Sequence, residues 1–274
     1  MRERGIGDRS ETYTHGHAES VLRSHRWRTV ENSAAYLVPH LRPGVDVLDV
    51  GCGPGTITID LARRVRPGRV VGMDASADAI EAAGTAAAAA GVDDLELAVG
   101  DVYALDHEDA TFDVVHAHQV LQHLADPIAA LREMRRVCRP GAVVAARDSV
   151  YRAMSWFPSE PTLDRWLELY CTVAEANGGE PDAGSRLRHW CVEAGFGTVE
   201  ASATAWCFAT DEERAWWGGL WADRVTTTSL ADRAVELGLA SRTDLDEMAA
   251  AWRAWAATPD AWFAVLHGEV LARL

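Results

Sequence analysis

Val47-Leu48-Asp49-Val50-Gly51-Cys52-Gly53-Pro54-Gly55 is the stretch from which the rest of the chain can be read. The run from Val45 to Val50 has the near-continuous apolar character of a strand buried on both faces of a parallel sheet. Gly51, Gly53 and Gly55 follow at once, and without Cβ atoms they let the backbone turn sharply and approach a ligand closely. The next residues, about Thr56 to Val65, read as a helix whose free N–H groups point at whatever lies over the turn. Strand, glycine turn and helix together make a cradle for a nucleotide-like ligand.

The glycine spacing narrows the ligand. A dinucleotide fingerprint, G-x-G-x-x-G, would put its third glycine at position 56, where the chain has Thr56. The pattern is G-x-G-x-G, with Asp49 two residues before it. A carboxylate there is a poor neighbour for a diphosphate and suits a ligand that carries a cationic amine. In these residues the chain resembles the class I S-adenosylmethionine-dependent methyltransferases. The resemblance implies an α/β, doubly wound, Rossmann-like sheet of seven strands, the last antiparallel. It also implies that Asp49, Gly51, Cys52 and Gly53 line the amino-acid end of S-adenosylmethionine.

Two further carboxylates fit this frame. Val70 to Asp74 reads as the second strand, and Asp74 lies 23 residues after Gly51, near the ~20 of a ribose-binding acid. Asp74 and the adjacent Ala75 are therefore assigned to the ribose, although Asp74 could simply precede the helix cap at Ser76. Leu95 to Val99 is the third strand. In the resembled family the acid after it accepts from the adenine amine and the next residue packs on the ring, which implies those roles for Asp101 and Val102.

Phe112 to Ala117 reads as the fourth strand and delivers His116, His118 and Gln119 to the sheet's carboxyl edge, where open α/β sheets bind ligands. The run from Phe112 to Pro127 resembles the fourth motif of small-molecule methyltransferases, which implies that His118 and Gln119 face the methyl donor. His118 and His123 are the candidate catalytic residues. His123 could serve as a general base, since an unperturbed imidazole titrates near neutrality. A structural histidine is the competing reading, and it is preferred for His116. Asp126-Pro127 opens the next helix as N-cap and first residue. Ala142 to Arg147 is the fifth strand, with Asp148 at its end.

Residues 1–42 read as an N-terminal arm and lid helix. Tyr13, His15, His17 and His25 are aromatic or imidazole groups that could close over a cleft, or lie in a solvated arm. This region resembles that of the quinone-biosynthesis C-methyltransferases. The likeness favours the lid, with Tyr13 and Arg28 on the cofactor and His17 toward the acceptor. Residues 43–210 form the expected core, with an insertion over about 151–182. Asp148 and Trp156 are assigned to the acceptor side with His17 and His123. The last two strands are expected by residue 209. The remainder, 211–274, reads as an extension of helices over 211–237, 241–257 and 259–272 packed on the core. Ten of the eleven tryptophans lie from Trp156 onward, read here chiefly as core.

Composition bounds the partners. A net charge of −15 repels phosphate backbones and argues against nucleic acid. No apolar run approaches the ~20 residues of a membrane span. The five cysteines show neither C-x-x-C pairs nor zinc spacing, as expected of reduced thiols in a cytoplasmic protein without a metal. For the tail tryptophans Trp216, Trp217, Trp221, Trp252, Trp255 and Trp262 the alternative to core is an apolar substrate pocket or the face of a homodimer. The expectation is methyl transfer from S-adenosylmethionine to an O, C or N atom of a small organic acceptor, quinone-like or a secondary metabolite. Two rivals stand beside it: a non-catalytic or regulatory S-adenosylmethionine-binding protein of the same fold, and an NAD(P)-dependent oxidoreductase, against which Thr56 argues.

Overall fold

The computed structural model describes residues 27–274. The expectations for Tyr13, His15, His17 and His25 lie outside the described residues. The chain opens with a short helix α1 (Val30–Ser33), capped by Thr29, and a 3-10 turn over Ala35–His40. The single helix expected over 31–41 is thus split at Ala34, which leaves the helical region at φ −140° and ψ 25°, and the second part, which contains Pro39, is 3-10. Alternating strands and helices follow: β1 (Val47–Val50), α2 (Thr56–Val65), β2 (Val70–Asp74), α3 (Ala77–Ala89), β3 (Leu95–Val99), β4 (Phe112–His118), α4 (Pro127–Arg136) and β5 (Cys138–Ser149). The signals read from sequence act as expected here. Ser76 caps α3 through Ala79 N–H, and Asp126 caps α4 with Pro127 at its start.

The eight-stranded sheet runs β3-β2-β1-β4-β5-β8, with β7 (Thr198–Phe208) beyond β8 (Trp262–Arg273) and the short β6 (Ser155–Phe157) paired to the start of β8. The chain reverses direction across the sheet between β1 and β4, which opens a crevice at their carboxyl ends. β8 is antiparallel to its neighbours, as expected of the last strand. Its position in the sequence differs from the expectation. Residues 259–272 were expected to be helical and instead form the strand that fills the gap between β5 and β7. The helices α7 (Asp211–Thr227), α8 (Ser229–Glu236) and α9 (Arg242–Ala257) are therefore an insertion between the last two strands, not a terminal extension. The count is eight strands instead of seven because β6 adds a three-residue edge piece.

Each face of the sheet has its own core. Val47, Val114, Val143 and Ala145 pack with α1, α2 and α3. Leu48, Val115, Val144 and Val270 pack with α4 and with α6 (Ala183–Glu193). A third core forms the cap: α5 (Pro161–Ala176), α7 and α9 bury Trp166, Trp221 and Trp252 against Phe208 and Phe263. Their rings meet edge-on, Trp166 at 4.5 Å from Trp221 and 4.7 Å from Trp252, the geometry that aromatic quadrupoles favour. The cap thus hangs over the carboxyl edge of the sheet, tied to it by β7 and β8.

Candidate active site

The glycine turn after β1 begins the site. Gly51 lies at φ +69°, and a Cβ there would come within 2.4 Å of Val120 Cγ2. The turn is tied to β2 by Asp74: Gly53 N–H donates to Asp74 Oδ2 and Ser76 N–H to Oδ1, each at 2.9 Å. Each oxygen keeps a lone pair for a further donor. Asp49, 3% exposed, is held beneath the turn. Thr58 Oγ1 donates to its Oδ2 at 2.6 Å, and His116 Nδ1 lies 2.7 Å from its Oδ1. His116 is fully buried and acts as this anchor, in keeping with its structural reading. At the end of β3, Asp101 accepts from Tyr103 N–H at 2.9 Å.

These residues share one cavity of about 740 Å³. Its wall includes Arg28, Asp49, Gly51, Cys52, Gly53, Asp74, Ala75, Asp101, Val102, His118, Gln119 and His123, so all the candidate residues within the described chain but two come together. Asp148 and Trp156 do not line it, which corrects their assignment to the acceptor. Asp148 points to the opposite sheet face, fully buried, where Gln122 N–H donates to its Oδ1 at 3.3 Å and burial pushes its pKa up to about 8. The shift follows from alternation: Arg147 and Ser149 face the cavity side, so the residue between them cannot. Trp156 stacks on Phe263 with ring centroids 5.6 Å apart and belongs to the cap core.

The end of β4 carries the polar centre. Gln119 sits at φ +55°, a left-handed conformation uncommon for a side chain of its size. Three groups hold it there. Arg28 Nη2 donates to its Oε1 at 2.5 Å, and its Nε2 donates to Ser149 Oγ at 2.8 Å and His267 Nε2 at 3.0 Å. Arg28 also lies 5.8 Å from the Trp206 ring centroid. Trp206 Nε1 donates to the Asn32 carbonyl at 2.7 Å, so the segment from Trp27 to Ser33 is strapped against the cavity wall.

His118 is 5% exposed, and neither ring nitrogen has a hydrogen-bond partner among the described residues. Burial, then the nearby Arg28 and Arg147, hold its pKa well below the usual imidazole range. Burial, with Arg28 and Arg224 adding to it, pushes the pKa of His123 down to about 3. The expectation of a near-neutral general base at His123 is therefore corrected. Gln122 Nε2 lies 3.1 Å from His123 Nε2, which must act as acceptor toward an amide donor, as a neutral ring can. Both imidazoles are uncharged at physiological pH. They can accept a hydrogen bond from a bound hydroxyl but are weak proton acceptors.

Beyond these rings the cavity is walled by Tyr151, Met154, Trp206, Trp217, Trp221 and Arg224. Of these six, only Trp217 and Trp221 fall within the substrate-pocket alternative that the sequence offers for the tail tryptophans; Tyr151, Met154, Trp206 and Arg224 carry no such expectation. Their tryptophans read as core, and most of their surface is core. The missed signal was a basic residue, Arg224, inside the aromatic helix α7. Among the described residues no group of three or more metal-ligating side chains gathers, and no helix is long and apolar enough to cross a membrane.

The chain is similar to known proteins at three levels. Residues 41–210 match the family model described as a methyltransferase domain. An uncharacterised methyltransferase of Schizosaccharomyces pombe is 32% identical over 270 residues, which covers 94% of this chain and 95% of that one. The demethylmenaquinone methyltransferase of Staphylococcus aureus is 34% identical over 131 residues, 47% of this chain and 50% of the relative. Among solved structures, the YcgJ protein of Bacillus subtilis superposes with a TM-score of 0.58 at 18% identity, over 89% of this chain and 98% of that one. That last likeness concerns the fold alone.

Proposed function

Because the chain belongs to the methyltransferase-domain family and is a class I S-adenosylmethionine-dependent methyltransferase, we propose that its acceptor is a flat, conjugated small molecule, quinone-like or an aromatic secondary metabolite, methylated at O, C or N. The observation that carries this reading is the indole wall. Trp206, Trp217 and Trp221 border the cavity beyond the polar centre at the end of β4. Rigid aromatic side chains favour planar ligands by stacking and apolar burial. The partial likeness to a demethylmenaquinone methyltransferase supports the same class of acceptor.

The donor set suits the cofactor. In this reading Asp74 and Asp101, which line the cavity, accept from the ribose hydroxyls and the adenine amine, and the amino-acid end lies over the turn at Gly51 and Gly53. S-adenosylmethionine supplies a methyl group already activated by a sulfonium centre. What remains for the protein is to orient the acceptor, exclude water and strip solvent from the nucleophilic atom. His118 is suited to accept a hydrogen bond from an acceptor hydroxyl and fix its direction. As a weak base, it favours acceptors whose own hydroxyl ionises readily.

Incubation with methyl-labelled S-adenosylmethionine and a panel of hydroquinones, phenols and aliphatic amines tests the reading. Label is expected on the ring compounds. Transfer confined to aliphatic amines would overturn it.

A further inference from the structure

The charged side chains of the cavity are sorted by sign along its length. Among the described residues, the lining carboxylates are Asp49, Asp74, Asp78 and Asp101, and all come from the ends of β1, β2 and β3 or the start of α3. The lining guanidiniums, Arg28 and Arg224, stand with the neutral imidazoles and the indoles. Arg28 is anchored on Gln119, at the boundary between the two halves. Arg224 belongs to the cap. It is 5% exposed and lies 5.1 Å from the centroid of Trp221, itself part of the indole wall.

A buried guanidinium keeps its charge, and the cation–π contact fixes it against the indole face. Its five N–H donors form a planar fork, so a neighbour within the protein does not exhaust them, and the fork matches two oxygens of an anion. Both guanidiniums lie near enough to His123 to oppose its protonation, and both line the cavity together with it. An isolated cationic acceptor would be repelled there. An anion would be drawn in and oriented between aromatic rings.

We propose that Arg224 recognises an anionic oxygen on the acceptor, a carboxylate or an ionised enol or phenol, so that this enzyme selects conjugated organic anions over neutral analogues. The proposal rests on the reading of this cavity as the methyl-transfer site.

Two matched pairs of ring compounds test it in the intact protein saturated with S-adenosylhomocysteine. One pair is 2-naphthoate against 2-naphthamide. The other is 2-hydroxy-1,4-naphthoquinone, ionised at neutral pH, against its neutral 2-methoxy ether. Binding is read by calorimetry and by quenching of tryptophan fluorescence. The wild type is expected to bind the anion at least tenfold more tightly in one pair or both, and the pair that responds distinguishes carboxylate from enolate. Arg224→Met should erase that preference while leaving the S-adenosylhomocysteine affinity within about twofold, and Arg224→Lys should retain part of it. Equal or undetectable binding of both members in both pairs by the wild type overturns the proposal, even if the variants fail to fold. So does a preference that survives in Arg224→Met. A wild type that does not bind S-adenosylhomocysteine would instead count against the methyl-transfer reading, and the anion preference can then still be measured without it.

Discussion

Asp74 fastens the glycine turn and, in the proposed reading, holds the ribose, and a single substitution tests both. Its oxygens fasten Gly53 and Ser76, and their remaining lone pairs face the cavity. Asp74→Ala should weaken binding of S-adenosylmethionine by about 10- to 100-fold, the ~1.5–3 kcal/mol of a hydrogen bond to a charged group, as calorimetry would report. Buried titratable groups give the fold a pH signature of two opposite signs. His118, His123 and His267 are held neutral, their folded pKa values below the unfolded 6.5. Their contribution is intact above about pH 6.5 and is lost as pH falls, at roughly 1.4 kcal/mol per pH unit for each ring that must stay unprotonated. Asp148 runs the other way. Its pKa is raised to about 8, so folding favours its protonated form and loses that advantage as pH rises from about 4 to 8. Asp148→Asn keeps the acceptor for Gln122 N–H and removes the ionisation. Urea midpoints should rise for this variant at pH 8 and not at pH 4.

Between elements, the tightest constraint is the crossing of α6 over β8. A Cβ on Gly268 would lie 2.0 Å from the Gly184 carbonyl oxygen, and one on Gly184 would lie 2.4 Å from the Asp148 carbonyl oxygen. Both obstacles are backbone, which cannot swing aside. Gly268→Ala or Gly184→Ala should therefore cost at least the ~1–3 kcal/mol of core overpacking, seen as a lowered Tm or loss of soluble protein. The cap has the complementary weakness. Trp252→Ala removes a fully buried ring that touches Trp166, Trp221 and Phe263, and should cost about 3–5 kcal/mol. The strand that takes part in this crossing is also the one least visible in the sequence. Phe263-Ala264-Val265-Leu266 and Val270-Leu271-Ala272 put apolar residues on both faces, as a central strand must, so no alternation marks them. The preceding Thr258-Pro259 resembles a helix start, while Thr258 Oγ1 in fact donates back to Ala254 O at the end of α9. By contrast β1 to β3 and the helices between them are legible, because the runs there end at glycine, serine or aspartate with an evident local task. The carboxylates of the cofactor half sit in those same local motifs. Trp206, Trp217 and Arg224 reach the cavity only through the way the cap folds back, which no local pattern records.

For the molecule as a whole, the order of the strands bears on synthesis. β8 lies between β5 and β7, and α7, α8 and α9 separate it in sequence even from β7, the nearer of the two. The parallel half, β1 to β5, can assemble from residues already made. The cap can gather its tryptophans soon after. Yet the inner edge of β5 stays unpaired until residues 262–273 have left the ribosome, and such an edge is a template for pairing with the wrong chain. A nascent chain stalled before residue 262 should expose that edge, bind chaperones and resist refolding, whereas one released after residue 273 should close its sheet in a single late step. Closure of the sheet therefore waits on β8, and a chain cut before residue 262 should depend on holdase supply far more than one that includes residues 262–273.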